Sequence, residues 1–179
     1  MIAAPLLKNS LLKTSSICIH TTPLGEMWSH WTDRGLYRLG WDQPNVEEID
    51  RESLSLSADM RQQMELFDQY LEDFFRDGRE SFLQIKVDST GWTPFQKRVY
   101  QQCRLIRAGS TRTYKQLAAM AGSEKASRAV GAAMARNRVP LVIPCHRVVS
   151  AGGSLRGFSA PGGLDTKRFL LDLERPTLL

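Results

Sequence analysis

Cysteine is scarce in this sequence, and its positions exclude one structural class. Only Cys18, Cys103 and Cys145 occur among the 179 residues. Small secreted domains that depend on disulfides carry a dense and usually even-numbered set of cysteines. The sequence instead fits a reducing, intracellular compartment. We therefore expect a cytoplasmic protein, or a nuclear one in a eukaryote.

Long apolar runs and the usual cofactor motifs are also missing. No stretch approaches the ~20 apolar residues of a membrane span, so we expect no membrane partner. No glycine-rich loop follows a strand and opens a helix, which argues against a cofactor-dependent methyltransferase. Zinc ligands could come from Cys18, His20 and His30, but their spacing fits no standard four-ligand set. We expect neither a cofactor nor a metal.

Acidic residues are almost missing from one part of the chain. Glu124 is the single acid between residues 97 and 147, where lysines and arginines are frequent. Acids prevail between residues 42 and 88, and the net charge of the whole chain is +5. A basic region of this kind suits a polyanion, and we expect nucleic acid to be the partner.

The beginning of the chain is expected to be a disordered leader, residues 1–16. It contains Lys8 and Lys13 and several Ser and Leu residues, and no acid occurs before Glu26. A transit peptide is the alternative interpretation, but such peptides are rich in arginine, and this segment has none.

Residues 17–91 are predicted to form an N-terminal domain. Alternating residues from Ile17 onward predict short strands around turns at 22–25 and 33–35. Ser57 is a candidate cap for a helix that Gly78 ends. A further strand is expected at 83–87, where apolar and polar residues alternate. The buried face of the helix is expected to comprise Met60, Met64, Phe67, Leu71 and Phe74.

Residues 92–179 are predicted to form a second, mostly helical domain. Thr93 and Thr113 each precede a Gln by three residues, which is the pattern of a capping box at a helix start. After a turn at Gly122, another helix is expected from about residue 124 to residue 136. Two short helices joined by a glycine turn indicate a helix-turn-helix. The small residues of the second helix permit close approach by another helix or by a DNA groove, and Arg128 favours the groove.

A thiol and an imidazole stand side by side at Cys145 and His146, between Pro144 and Arg147. A neighbouring cation or imidazole lowers the pKa of a thiol, and a Cys-His pair commonly activates a nucleophile. Two other interpretations stay open. Cys145 could be a structural residue buried after a short strand at 139–142, or the pair could belong to a Cys-His hydrolase.

A series of motifs follows in a fixed order along the second half of the chain. They are Thr93-Pro94-Phe95-Gln96, Thr113-Tyr114, Arg128-Ala129-Val130-Gly131-Ala132-Ala133, Asn137, Ile143-Pro144-Cys145-His146-Arg147-Val148-Val149, and Gly162-Gly163-Leu164 leading to Glu174. Together they resemble the O6-alkylguanine-DNA alkyltransferases, also called methylated-DNA–protein-cysteine methyltransferases. The resemblance is strong over residues 93–174 and looser before them.

The resemblance implies an α/β (α+β) fold of two domains. A small ribonuclease-H-like N-terminal domain with a three-stranded sheet would be followed by a mostly helical domain with a helix-turn-helix. It also implies DNA repair by transfer of the alkyl group of O6-alkylguanine to Cys145, in a single turnover that leaves S-alkylcysteine. Activity on O4-alkylthymine stays open. The partner would be the minor groove of double-stranded DNA, with the damaged nucleotide flipped out of the stack. We expect a monomer.

Roles for individual residues follow from the same resemblance. His146 would take the proton of Cys145 through a water, with Glu174 orienting the imidazole. Asn137 would support the thiolate, and Tyr114 would donate a proton to the departing base. Without the resemblance, a turn-forming Asn137 and a boundary Tyr114 are the ordinary interpretations. Arg128 would fill the space of the flipped base. The remaining positions implied are Ala126, Ser127, Ala129 and Gly131 for DNA contact, and Val148, Phe158 and Ser159 for the substrate pocket.

Three features of the sequence separate this function from its rivals. A non-enzymatic relative that only binds alkylated DNA lacks the cysteine, whereas Cys145 is present here. A transcription factor would carry a dimerising or sensor segment and polar base-reading residues on the second helix, and neither is evident. A Cys-His hydrolase has no need of Arg128 within a helix of small residues.

Overall fold

The computed structural model describes residues 16–42, 57–158 and 160–175. The predicted leader lies outside this part of the chain except for Ser16, and so does the pocket candidate Ser159. In the three described ranges, no helix is long and apolar enough to cross a membrane.

An antiparallel sheet of three strands opens the fold. It consists of β1 (Ile17–Thr22), β2 (Gly25–Thr32) and β3 (Gly35–Gly40), in that spatial order. The turns between the strands fall where the sequence predicted them. In β1 the alternation buries Cys18 and His20 and leaves Ile19 exposed.

The helix predicted after Ser57 packs against this sheet. Helix α1 spans Ala58–Asp77, the side chain of Ser57 accepts a hydrogen bond from Met60 N, and Gly78 ends the helix with a φ of 72°. The ring of Phe67 makes edge contacts with those of His20 and Trp31. The predicted buried face is confirmed in full: Met60, Met64, Phe67, Leu71 and Phe74 are all buried.

The strand predicted at 83–87 is wrong. This segment is irregular, and its contribution to pairing is an isolated bridge between Val87 and Leu36 of β3. The reason is a distant side chain: Arg104 Nη2 donates hydrogen bonds to the carbonyls of Phe82, Leu83 and Ile85. Carbonyls satisfied in this way do not need a strand partner.

The second half of the chain begins with two capped helices, as predicted. Helix α2 (Pro94–Arg104) and helix α3 (Tyr114–Met120) each start with a complete capping box, at Thr93 and Thr113. Strand β4 (Arg112–Thr113) precedes α3. Helix α4 spans Ser127–Ala135 and begins later than the predicted residue 124, because residues 124 and 125 form a turn that the hydrogen bond from Ala126 N to the carbonyl of Ser123 closes.

The segment between α4 and the Cys-His pair is not the strand predicted at 139–142. It is a series of turns, in which Leu141 has a φ of 67°. Cys145–Arg147 then forms a short 3-10 helix, followed by strand β5 (Val148–Val149), which pairs in parallel with β4. Helix α5 (Leu164–Leu173) comes last.

A single hydrophobic cluster joins the two predicted domains. It contains Trp31, Phe67 and Phe74 from the first and Val99, Cys103 and Ile143 from the second. The architecture is α+β, as the sequence predicted. The boundary at residues 91 and 92 stays a prediction, because the core is continuous across it.

Candidate functional site

Cys145 lies at the edge of a cavity of about 700 Å³ between α3, α4 and the loop after β5. The cavity is lined by Tyr114 from α3, Arg128 and Gly131 from α4, and Phe158 from the loop. Cys145 is 7% exposed, so its side chain is largely surrounded by protein. With Ser127 of α4, which also lines the cavity, five of the predicted site residues are therefore brought together around the predicted nucleophile.

Opposing effects set the pKa of the Cys145 thiol. Burial raises this pKa, because a thiolate loses solvation inside the protein. A hydrogen bond from Asn137 and the positive charge of Lys167 act in the opposite direction and favour the thiolate. The net shift is upward, so the thiol keeps its proton until a base removes it.

Asn137 connects the end of α4 to the loop that carries Cys145. Its Nδ2 donates to the carbonyl of Ile143 at 2.8 Å, and its Oδ1 accepts from Val139 N at 3.0 Å. Asn137 and the atoms it bonds are buried. Its amide is therefore fixed in place beside the thiol, which is more than a turn-forming Asn would require.

His146 belongs to a buried charged network. Its Nε2 lies 2.7 Å from Oε1 of Glu174, and both side chains are fully buried. Arg147 Nη2 and Nε also donate to Glu174, at 2.8 Å and 3.0 Å to Oε1, and Arg147 Nη1 donates to the carbonyl of Ile106. A buried carboxylate with two such donors is well compensated. Burial acts to raise the pKa of Glu174, but the hydrogen bonds from His146 and Arg147 outweigh it and lower this pKa.

This network determines which nitrogen of His146 can act as a base. Burial lowers the pKa of His146 even though Glu174 acts to raise it, so the ring is neutral. An ionised carboxylate only accepts hydrogen bonds, so Nε2 must carry the ring proton. Nδ1 is then the nitrogen with a free lone pair, and it has no hydrogen-bond partner within the described ranges.

Lys167 is a charged residue of the site to which the sequence analysis assigned no role. It is fully buried in α5, and its Nζ donates to the carbonyls of Val148 at 2.7 Å and Arg156 at 3.0 Å. It thereby ties α5 to both ends of the loop that borders the cavity. A lysine at helical spacing in an amphipathic helix gave no signal of burial.

Helix α1 also reaches the site, although its sequence indicated only a core helix. The ring of Phe74 contacts that of His146 edge-on, with centroids 6.4 Å apart. Gly78 at the end of α1 lies against the backbone of Leu173 and Glu174. The first domain thus supports the imidazole and the carboxylate from behind.

Gly78→Ala is expected to lower the free energy of unfolding by about 2–4 kcal/mol. The residue is in the left-handed region, and an added Cβ would overlap the carbonyl of Leu173. Gly91→Ala is the matched control, since Gly91 has a φ of +79° and no atoms within 4 Å of an added Cβ. Urea unfolding of both variants measures the difference. Equal losses would show that the contact with Leu173 contributes nothing.

The predicted DNA-contacting residues lie at the N-cap of α4 and in its first turns. Arg128 and Ala129 are exposed, and Ala126, Ser127 and Gly131 are partly exposed. An added Cβ at Gly131 would meet the Tyr114 ring at an ordinary distance of 4.0 Å. The packing of the free protein therefore does not require glycine there, and the small residues leave room in front of the helix.

The predicted pocket residues are placed differently from one another. Phe158 lines the cavity and its ring lies edge-on to His146, with centroids 6.5 Å apart. Val148 is fully buried and does not line the cavity, and its carbonyl accepts from Lys167. A larger cleft of about 1150 Å³ lies between the sheet and the end of α4 and does not include Cys145.

The side chains of His20 and Cys18, two of the three candidate zinc ligands, are poorly placed to bind a metal. His20 Nε2 lies 2.7 Å from Ser29 Oγ, and its Nδ1 lies 2.8 Å from Asp68 Oδ1. Burial raises the pKa of Cys18 to about 12, which disfavours the thiolate that a metal needs. Over residues 16–42, 57–158 and 160–175, no group of three His, Cys, Asp or Glu side chains could hold a metal ion.

Comparisons with known proteins confirm the resemblance carried by the sequence motifs. A family model described as "6-O-methylguanine DNA methyltransferase, DNA binding domain" matches residues 94–176. A methylated-DNA–protein-cysteine methyltransferase of Methanosarcina barkeri is 36% identical over 160 residues, which cover 88% of this chain and 95% of that protein. One of Methanosarcina acetivorans is 46% identical over 104 residues, which cover 58% of this chain and 64% of that protein.

A solved structure shows the same similarity in three dimensions. The crystal structure of OGT from Mycobacterium tuberculosis in complex with DNA superposes with a TM-score of 0.69 and 28% sequence identity. The match covers 89% of this chain and 94% of that one. The similarity therefore extends over both halves of the chain and is not confined to the segment around Cys145.

Proposed function

The chain belongs to the methylated-DNA–protein-cysteine methyltransferase family, and we propose that Cys145 is the residue that accepts the alkyl group. The protein repairs DNA by direct transfer of the alkyl group of O6-alkylguanine to this cysteine. The observation that carries the assignment is the position of Cys145. It borders the cavity next to Tyr114 and Arg128, with His146 and Asn137 behind it.

The chemistry needs one base and one acid. His146 Nδ1 takes the proton of the Cys145 thiol, through a water as the family resemblance implies. The sulfur then forms a bond to the alkyl carbon while the bond from that carbon to guanine O6 breaks. Tyr114 donates a proton to the departing base. Burial and the nearby Cys145 raise the pKa of Tyr114, so it keeps its proton until the base needs it.

The exposed surface of α4 suits the minor groove of duplex DNA. Small side chains allow the backbone to approach the groove floor, and Arg128 projects beside the cavity that would receive a flipped nucleotide. Helices α3 and α4 then act as a helix-turn-helix. Such a site is complete within one chain, so we include a monomer in the proposal. Because Cys18, Cys103 and Cys145 are free thiols and Cys145 must stay reduced to act, a reducing intracellular compartment fits as well.

Arg128→Ala is expected to slow repair of duplex DNA by roughly 30- to 100-fold. Unstacking a base costs a few kcal/mol, of which a side chain that fills the gap can recover a part, and each 1.4 kcal/mol is a factor of ten. Reaction with free O6-benzylguanine should change little, because no duplex has to be opened. Single-turnover rates on both substrates test this, with Arg168→Ala, an exposed arginine on α5, as the charge-matched control. Equal losses on both substrates would place Arg128 in the chemistry or the fold.

The test of the proposed function is stoichiometry. A fixed amount of protein with excess duplex containing labelled O6-methylguanine should gain label up to one alkyl group per molecule and then stop. A thioether is not reversed under these conditions, so the acceptor is consumed. Peptide mapping should find the label on Cys145. Continued product formation beyond that plateau would contradict the proposal and favour a hydrolase.

A further inference from the structure

A second arginine, Arg138, lies between the N-terminal sheet and the segment that holds Cys145. It follows Asn137 directly in the chain, after the end of α4. Its carbonyl accepts a hydrogen bond from Leu39 N of β3 at 2.8 Å, so its backbone is attached to the edge of the sheet. The three-stranded sheet therefore reaches a residue that adjoins the site.

The guanidinium of Arg138 makes three more bonds to the same side. Nε donates to the carbonyl of Tyr37 at 2.7 Å, and Nη2 donates to the carbonyls of Asp88 and Thr90 at 2.8 Å and 2.9 Å. The guanidinium carbon lies 3.9 Å from the centroid of the Tyr37 ring and 5.0 Å from that of Trp92. Hydrogen bonds of a planar cation to fixed carbonyls, together with stacking on aromatic faces, define both its position and its orientation.

Asn137 and Val139 transmit this fixed position to Cys145. The N–H of Val139 donates to Asn137 Oδ1, and Asn137 Nδ2 donates to Ile143 O, two residues before Cys145. Arg138 is thus enclosed between two residues that are bonded to each other. Movement of Arg138 away from the sheet would shift the Asn137 amide relative to the thiol.

We propose that Arg138 is a positioning residue for alkyl transfer, which holds Asn137 against Cys145 by anchoring the intervening backbone to β3 and to residues 88–90. This inference rests on the proposed role of Cys145 as the acceptor. It assigns the N-terminal sheet a part in the reaction, although no residue of that sheet lines the cavity at Cys145.

The readout is the reactivity of the thiol as a function of pH. The Asn137 hydrogen bond favours the thiolate, so a displaced amide raises the pKa of Cys145. In the described part of the chain, none of the hydrogen bonds of Arg138 goes to the other titratable or charged side chains around Cys145. They are Lys167 on α5, Tyr114 on α3, Tyr100 and Cys103 on α2, and the adjoining His146.

The experiment compares Arg138→Ala, Arg138→Lys and Arg136→Ala with the unchanged protein. Arg136 is an exposed arginine two residues earlier, so its loss removes the same charge without these bonds. The pH dependence of two reactions is measured: transfer from free O6-benzylguanine, and modification of Cys145 by iodoacetamide, located by mass spectrometry. The second reaction does not depend on the protein being an alkyltransferase.

For Arg138→Ala we expect the midpoints of both pH profiles to move up by about one pH unit. At pH values below the midpoint, both rates then fall about tenfold. The rate reached at high pH should be retained, Arg138→Lys should be intermediate, and Arg136→Ala should match the unchanged protein. Unshifted profiles in folded Arg138→Ala, or in Arg138→Lys if the alanine variant does not fold, would overturn the inference and leave Arg138 a purely structural residue. If the unchanged protein takes up iodoacetamide at Cys145 but no benzyl group, the proposed function fails instead.

Discussion

Cys145→Ala is expected to reduce alkyl transfer to background while leaving the affinity for duplex DNA unchanged. In the proposed reaction the side chain supplies the sulfur that forms the new bond, whereas DNA contact is assigned to the exposed residues of α4 and to Arg128. Transfer is measured as label on the denatured protein, and DNA binding by fluorescence anisotropy at a fixed salt concentration. A variant that loses both properties would show that Cys145 is needed for the fold or for binding.

The other two cysteines provide the matched controls. Cys103 is fully buried, its Sγ packs 3.9 Å from Met134 Sδ, and burial holds its pKa well above the usual value. Cys18 lies in the N-terminal sheet, where burial raises its pKa to about 12. Cys103→Ala and Cys18→Ala should therefore keep transfer at a stoichiometry of one. Label remaining on Cys145→Ala would identify a second acceptor, and mapping it to Cys103 would overturn the assignment.

Glu174→Ala is expected to cost about 3–5 kcal/mol of stability and to slow transfer strongly. The change removes the carboxylate that compensates the fully buried guanidinium of Arg147, and an unpaired buried charge is costly. It also removes the acceptor that fixes the ring proton of His146 on Nε2. Urea unfolding gives the loss of stability, and rates with free O6-benzylguanine at a temperature where the variant is folded give the loss of activity. Full activity of the folded variant would exclude Glu174 from orienting the base.

The same network predicts how stability depends on pH. The pKa values of His146 and Glu174 are both lowered in the folded protein, so below their unfolded values the folded state binds fewer protons than the unfolded state. The stabilisation is fully present above the pKa values of the unfolded protein, about 6.5 for His and about 4.3 for Glu. It is lost as the pH falls through the lowered pKa values of the folded protein. Urea unfolding between about pH 7 and about pH 3 measures the loss. Glu174→Gln should keep the loss that begins below about pH 6.5, because Glu174 acts to raise the pKa of His146 and its removal lowers that pKa further. The additional loss below about pH 4.3, where Glu174 itself titrates, should disappear, and an identical slope there would contradict this origin.

Helix boundaries were predictable because their determinants are local. Ser57, Thr93 and Thr113 cap helices through bonds to backbone groups three residues away, and Gly78 ends α1 with a left-handed backbone. These bonds form within a few residues and need no knowledge of the rest of the fold. The buried face of α1 was predictable for a similar reason, since helical periodicity alone places its apolar residues together.

The two incorrect strands show where local patterns fail. Alternation at 83–87 and the apolar run at 139–142 both fit strands, yet a strand also requires a partner for its backbone. Arg104 takes the carbonyls of the first segment, and the second turns at Leu141 and is fixed by Asn137 and Arg138. Each of these partners lies outside the pattern that made the prediction.

The sequence by itself predicted the nucleophile and the adjacent base and determined the family, because Cys145 and His146 are neighbours and the motifs around them have a fixed order. Tertiary structure alone decided which charges surround them. Arg147 and Lys167 are fully buried, Phe74 of α1 contacts His146, and Arg138 joins the sheet to Asn137. Burial depends on what packs against a side chain, and those partners come from distant parts of the chain. Since desolvation and nearby charge set the pKa of a thiol and an imidazole, the reactivity of the pair is a property of the folded protein.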